Sequence, residues 1–149
     1  MRVDLASVSS PVYLDTNVFI YAVDKRDPRK HTIARDLIGK SIQMGICQYS
    51  VQVMAEWRNV MIRKFHEQMS AEYRAEFLKL LSEHHPSPMT GELICRAEAI
   101  VNRYSISPFD STHIQSALDV NCLYFFSEDM QDGLVIDGKL TIINPFADS

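Results

Sequence analysis

Cysteine is sparse in this chain: Cys47, Cys95 and Cys122 are odd in number and far apart. No Cys-x-x-Cys pair occurs and no nearby histidine completes a zinc pattern, so neither a disulfide framework nor a structural zinc is expected. Buried, reduced thiols are the expectation, as suits a reducing compartment. Long hydrophobic runs are missing too. No segment approaches the roughly 18 apolar residues of a membrane span, and "MRVDLASVSS" has no apolar core of signal-peptide length. A soluble, cytoplasmic protein with no membrane partner is therefore expected. Positive charge is also in deficit, since 15 Lys and Arg face 19 Asp and Glu for a net charge of −4. That balance argues against a protein that holds nucleic acid mainly by its phosphates. Patterning softens the objection. "DKRDPRKHTIAR" gathers Lys25, Arg26, Arg29, Lys30 and Arg35, and "WRNVMIRKFH" carries Arg58, Arg63 and Lys64.

What the chain does have is enough apolar residue for a core. The hydrophobic fraction is 46%, and a domain of this length hides roughly 68–70% of its unfolded surface. One domain over residues 1–149 is expected, because no repeat, linker or low-complexity tract divides it. "VYL" at 12–14 reads as a short strand and "NVFIYAV" as two helical turns. After a charged loop around Pro28, "HTIARDLIGKSIQMG" places Ile33, Leu37 and Ile38 on one helical face. "ICQYS" is a second strand. Ser50 then stands at the N-cap of a helix whose apolar stripe is Val53, Trp57, Val60, Met61 and Phe65. "SAEYRAEFLKLLSEH" is expected to pack Tyr73, Phe77, Leu80 and Leu81. "GELICRAEAIVNRY" and "SPFDSTHIQSALDV" add two helices, "CLYFF" a strand, and "LVIDGKLTII" a hairpin turning at Asp137-Gly138. Strands separated by helices imply right-handed crossovers and a mostly parallel sheet covered on both faces, an α/β fold built as a three-layer α/β/α sandwich.

Four acids stand where such a fold places ligands, beyond the carboxyl ends of its strands. Asp15 directly follows "PVYL", and Asp129 follows "CLYFFSE". Glu56 lies at the margin of an apolar stripe, where a carboxylate needs a partner. Asp110 sits at the third position of a helix begun by Ser107 and Pro108, a near match to a capping box, and it complements the helix dipole. Three of the acids have a structural explanation of their own: a cap for Asp15 and Asp110, an ion pair for Glu56. Their convergence would change the balance. Two carboxylates about 5 Å apart repel by about 3 kcal/mol even at an effective dielectric of 20. A divalent cation relieves that repulsion, and an all-oxygen donor set suits Mg²⁺ or Mn²⁺.

"VYLDTNVFIYAVD", "VQVMAEWRNV", "SPFDSTHIQSAL" and "YFFSEDMQDG…VIDGKLTIINPF" together resemble the PIN-domain ribonucleases, and most nearly the VapC-like toxins of type II toxin–antitoxin pairs. The resemblance runs from Pro11 to Phe146. It implies a PIN-like sandwich and a divalent-metal-dependent endoribonuclease, a hydrolase of RNA phosphodiesters. The family's acidic cluster falls on Asp15, Glu56, Asp110 and Asp129. Asp15 and Asp110 would be the most direct ligands of Mg²⁺ or Mn²⁺, Asp129 would complete the pocket, and Glu56 would hold metal or orient water. Thr16, Asn17 and Ser127 would hold the carboxylates by hydrogen bonds. Glu128 and Asp132 flank Asp129 and are lesser candidates. The resemblance also implies an RNA substrate, a homodimer, and a cognate antitoxin whose arginine reaches the pocket. The alternative is a non-catalytic PIN-like binding or scaffold module. A phosphoaspartate enzyme of the haloacid-dehalogenase type is disfavoured, since Asn17 stands where those enzymes carry a second Asp.

Overall fold

The computed structural model describes residues 3–147. After a 3₁₀ turn at Leu5–Ser7, β1 (Val12–Leu14) leads into α1 (Thr16–Tyr21) and α2 (Pro28–Gln43). Then come β2 (Cys47–Gln48), α3 (Val51–Lys64), α4 (Ala71–Glu83), α5 (Gly91–Tyr104) and α6 (Pro108–Asp119). The chain ends with β3 (Tyr124–Phe126), β4 (Val135–Ile136) and β5 (Leu140–Ile143). The five strands form one sheet in the order β2-β1-β3-β5-β4, parallel except for the antiparallel β4–β5 pair.

Layering follows from topology. The pair α1–α2 carries the chain one way along the sheet, from β1 to β2, and the helices between β2 and β3 carry it back past β1. Right-handed crossovers therefore put the two returns on opposite faces. Among the helices, α1 packs against both α2 and α3, α3 against α4, and α5 against α6. Sandwiched strands must be apolar on both sides, and Val12, Tyr13 and Leu14 are wholly buried, as are Phe125 and Phe126. Tyr13 stacks on its strand partner Phe125 at 4.9 Å between centroids.

The helix expectations hold with informative shifts. The stretch read as a charged loop around Pro28 is already helix, because proline fits the first turn and Asp27 accepts from the Lys30 backbone N–H at 3.1 Å. Along α3, Val53, Trp57 and Met61 are fully buried, Phe65 just past its end is buried, and Val60 is only partly so. Trp57 stacks on Phe77 of α4 at 4.4 Å. Two residues expected in the core of α4 are not there: Tyr73 is 46% exposed and Leu80 56%. They line an apolar groove of about 290 Å³ with Phe19, Ile38, Ile42 and Tyr49. Cys95 is exposed, contrary to the expectation of buried thiols, while Cys122 is buried. Burial pushes the Cys122 thiol up to about 12, which leaves it protonated and inert. The hairpin forms where expected. Asp137 and Gly138 take positive φ of 52° and 67° in a connection of residues 137–139 that brings Leu140 opposite Ile136.

The sheet also sets the edge on which function collects. β1 and β3 are parallel neighbours with Leu14 opposite Phe126, so Asp15 and Ser127 leave the sheet side by side. The ladder runs one step further, with the Asp15 N–H donating to the Phe126 carbonyl at 3.0 Å and the Ser127 N–H to that of Ile143 at 3.0 Å.

Candidate active site

Asp15 caps α1. Its Oδ1 accepts from the Thr16 backbone N–H at 2.7 Å, and its Oδ2 accepts from the Ser127 hydroxyl at 2.7 Å. A carboxylate only 3% exposed is thus oriented at both oxygens. Asn17, one turn position on, donates from Nδ2 to Asp129 Oδ2 at 3.0 Å and to Ser127 Oγ at 3.4 Å. Ser127 Oγ also accepts from the Asp129 backbone N–H at 3.1 Å, so one hydroxyl bridges the two strand-end acids.

Glu56 is held by three side chains from three elements. Thr16 Oγ1 donates to Oε1 at 2.6 Å, His113 Nε2 lies 2.9 Å from the same oxygen, and Gln52 Nε2 donates to Oε2 at 2.9 Å. Gln52 donates as well to the Phe109 carbonyl at 3.1 Å, which ties α3 to the first turn of α6 beside Asp110. Asp110 is positioned by the cap expected from the sequence, its N–H donating to Ser107 Oγ at 3.3 Å. The Ser50 hydroxyl makes no cap bond to α3. It accepts instead from the Tyr13 hydroxyl at 2.9 Å, and Tyr13 in turn lies 2.8 Å from His113 Nδ1.

His113 is the residue that sequence reasoning missed. It is 1% exposed and sits between Glu56 and Asp15, with Nε2 3.6 Å from Asp15 Oδ1. Burial opposes an imidazolium there. The Glu56 hydrogen bond and the charges of Asp15, Glu56 and Asp110 outweigh it, and the His113 pKa is raised. The same cation, with Thr16 and Gln52, overcomes burial at Glu56 and holds its pKa low. At Asp15 burial wins, helped by Asp110, and the pKa is raised despite His113, Ser127 and Thr16. Asp129 is also raised, by burial first and then by Glu128, Asp110 and Glu56 against the Asn17 hydrogen bond. The four acids named from sequence therefore share one electrostatic neighbourhood. Two signals were present in the chain: His113 follows Asp110 by three residues and Gln52 precedes Glu56 by four, both same-face helical spacings.

Glu128 and Asp132 are engaged elsewhere. Glu128 accepts from the Tyr21 hydroxyl at 2.7 Å and from Lys30 Nζ at 2.8 Å. Asp132 Oδ1 accepts from the Asn144 backbone N–H at 2.9 Å. Part of the basic cluster is consumed the same way, with Arg26 paired to Asp24 and Arg29 donating to the Phe146 carbonyl at 2.8 Å.

Asp15, Glu56 and His113 each offer a ligand atom, all within 4.8 Å of one another. Both His113 ring nitrogens are already engaged, Nδ1 with the Tyr13 hydroxyl and Nε2 with Glu56, which leaves hard carboxylate oxygens as donors. Asp15 and Asp129 have raised pKa values, through burial first and through neighbouring carboxylates after it. Buried Asn17 Oδ1 and Gln52 Oε1 have no hydrogen-bond partner. Such carbonyls suit the waters that Mg²⁺ or Mn²⁺ retains, so the donor set fits a hydrated divalent cation.

The fold and site define an α/β protein with an acid-lined pocket, able to hold a divalent cation, at the carboxyl edge of its sheet. The PIN domain pattern matches residues 12–131, most of the chain, and the chain belongs to the PIN domain family. PIN domains are generally nucleases and typically use divalent metals. No curated protein matches the chain. No described helix is long and apolar enough to cross a membrane.

Proposed function

We propose that this chain is a divalent-metal-dependent endoribonuclease and the toxin of a VapC-like toxin–antitoxin pair. The observation that carries the nuclease reading is geometric: Ser127 and Asn17 join Asp15 to Asp129, Thr16 and Gln52 join Glu56 to α1 and to the first turn of α6, and Asp110 and Asp129 share one cleft. Asp15, Asp110 and Asp129 would hold Mg²⁺ or Mn²⁺, with Glu56 beside them. When bound, that cation supplies an acidified water and neutralises the scissile phosphate. Glu56, gripped by Thr16, Gln52 and His113, would orient the attacking water. Ser127 and Asn17 keep Asp15 and Asp129 aimed at the same point.

The toxin reading draws on the resemblance and on a surface feature. The groove bearing Tyr73, Leu80 and Ile42 is exposed apolar area of the kind that a partner's amphipathic segment covers. An antitoxin arginine reaching the acids would match their planar carboxylates with its fork. Homodimerisation is part of the same reading, and its measure is the mass of the purified chain in solution.

The deciding experiment is Mn²⁺-dependent cleavage of generic RNA by the parent and by Asp15→Asn. Loss of a residue that merely supports a metal ligand costs roughly 10–100-fold. Asp15→Asn is therefore expected to lose about 100-fold or more, and excess chelator to abolish cleavage in the parent. Equal cleavage by the two proteins would remove the proposal and leave a PIN-like binding module as the reading.

A further inference from the structure

We infer that the cleft next to Asp110 and Asp129 is a nucleobase subsite, taking one unstacked base of single-stranded RNA beside the phosphate at the acids. The inference rests on the nuclease reading above. The cleft is about 260 Å³ and lies between the α5–α6 turn and the loop after β3. Asp110 and Asp129 form part of its wall, so it is continuous with the acid pocket. Tyr104, Ser105, Met130 and Gln131 line much of the remainder. Ser105 takes a left-handed φ of 55°, the reversal that lets α5 and α6 contribute to one cleft.

Charge decides which part of a nucleotide enters. No lysine or arginine lines the cleft, and two carboxylates do. Beyond the cation that Asp110 and Asp129 would share, nothing lining the cleft attracts a phosphate, whereas a base is neutral and presents amino and ring-nitrogen edges. The aromatic wall is fixed before any ligand arrives. The Tyr104 hydroxyl accepts from the Asp137 backbone N–H at 2.8 Å and donates to Asp137 Oδ1 at 3.0 Å. Arg103 pairs with the same Asp137, its guanidinium 5.8 Å from the Tyr104 ring centroid. A ring already held in place loses little freedom when a base stacks on it. Gln131 is exposed and offers both a donor and an acceptor for a base edge. A base still stacked in a duplex cannot enter, so this subsite selects single strands.

The test is fluorescence anisotropy with a labelled short single-stranded oligoribonucleotide of mixed sequence, alone or annealed to its complement, in EDTA. Binding is thereby read apart from cleavage. Tyr104→Ala is expected to weaken single-strand binding by roughly 5- to 150-fold, the range for losing one stacked base. Tyr104→Phe keeps the ring and should lose much less. Gln131→Ala, on an exposed loop, should shift the base preference across homopolymers while circular dichroism stays unchanged. The inference is overturned if Tyr104→Ala and Gln131→Ala both bind like the parent, or if duplex binds as well as single strand. It is also overturned if Tyr104→Phe loses as much as Tyr104→Ala, which would make the residue a brace for the hairpin. Failure of the nuclease reading would show separately, as RNA cleavage indifferent to Asp15→Asn with these binding results intact.

Discussion

Asp15 and Asp119 each face a nitrogen cation, yet their protonation is shifted in opposite directions. Asp119 receives both Arg96 terminal nitrogens at 2.6 Å and Gln115 at 3.0 Å, and the guanidinium holds its pKa below the usual value. Asp15 has its own cation in His113 and two further hydrogen bonds, but its pKa is raised. The difference is burial and company. At the surface, water screens the charge and one arginine suffices. At the sheet edge, burial removes the water, and Asp110 adds like charge. The lesson is that the site is held in tension by a fold that stabilises its neighbours, the state in which a divalent cation gains most.

The comparison can be broken in several ways, the largest being His113→Ala. Removing one partner of a buried ion pair costs about 3 kcal/mol or more, because the other charge stays behind. Urea denaturation in EDTA should show that loss, and added Mn²⁺ should restore part of it. Next is Gln52→Met, which keeps the volume but removes the amide linking Glu56 to the Phe109 carbonyl. A fall in RNA cleavage of roughly 10–100-fold is expected with the urea midpoint nearly kept. A parent-like rate would show that Glu56 needs no such hold.

Acidity sharpens the contrast in sign. A carboxylate with a raised folded-state pKa favours folding when protonated. That contribution is complete below its unfolded value and is lost as pH rises through the folded one. Ionised Asp15 thus costs stability at neutral pH, and Asp15→Asn in EDTA should raise the urea midpoint there. The gain should shrink towards about pH 4, near the ordinary Asp value, and vanish below it. Asp119 runs the other way: its contribution stands above the unfolded pKa and fades as pH falls through the lowered one. The smallest effect is Arg96→Ala, an exposed pair whose loss should leave the urea midpoint and the cleavage rate nearly unchanged. A drop in activity would mean that the two regions communicate.

Much of this was legible in the chain because it is local. The apolar run 12–14, the Ser107-Pro108 helix start, the Asp137-Gly138 turn and the α3 stripe are each fixed by neighbouring residues and by periods of two or 3.6. The same locality explains the misses. Ser50 has the identity of a cap, but the Tyr13 hydroxyl 37 positions away claims its oxygen. Tyr73 and Leu80 have core spacing on α4 but no element laid over them, so they line an open groove. The spacing of His113 from Asp110 marks a shared helical face, but its meeting with Glu56 needs α6 to face α3, which no local pattern encodes.

From the sequence alone came the elements, their alternation, and hence a parallel sheet with acids at its carboxyl edge, since short-range sterics and burial patterns settle those. Only the tertiary structure decided which side chains meet. Strand order, register and helix faces fix distances between residues far apart in the chain, 112 positions in the case of Ser127 and Asp15. Charge coupling falls with distance and grows with burial, and neither quantity exists until the chain has folded.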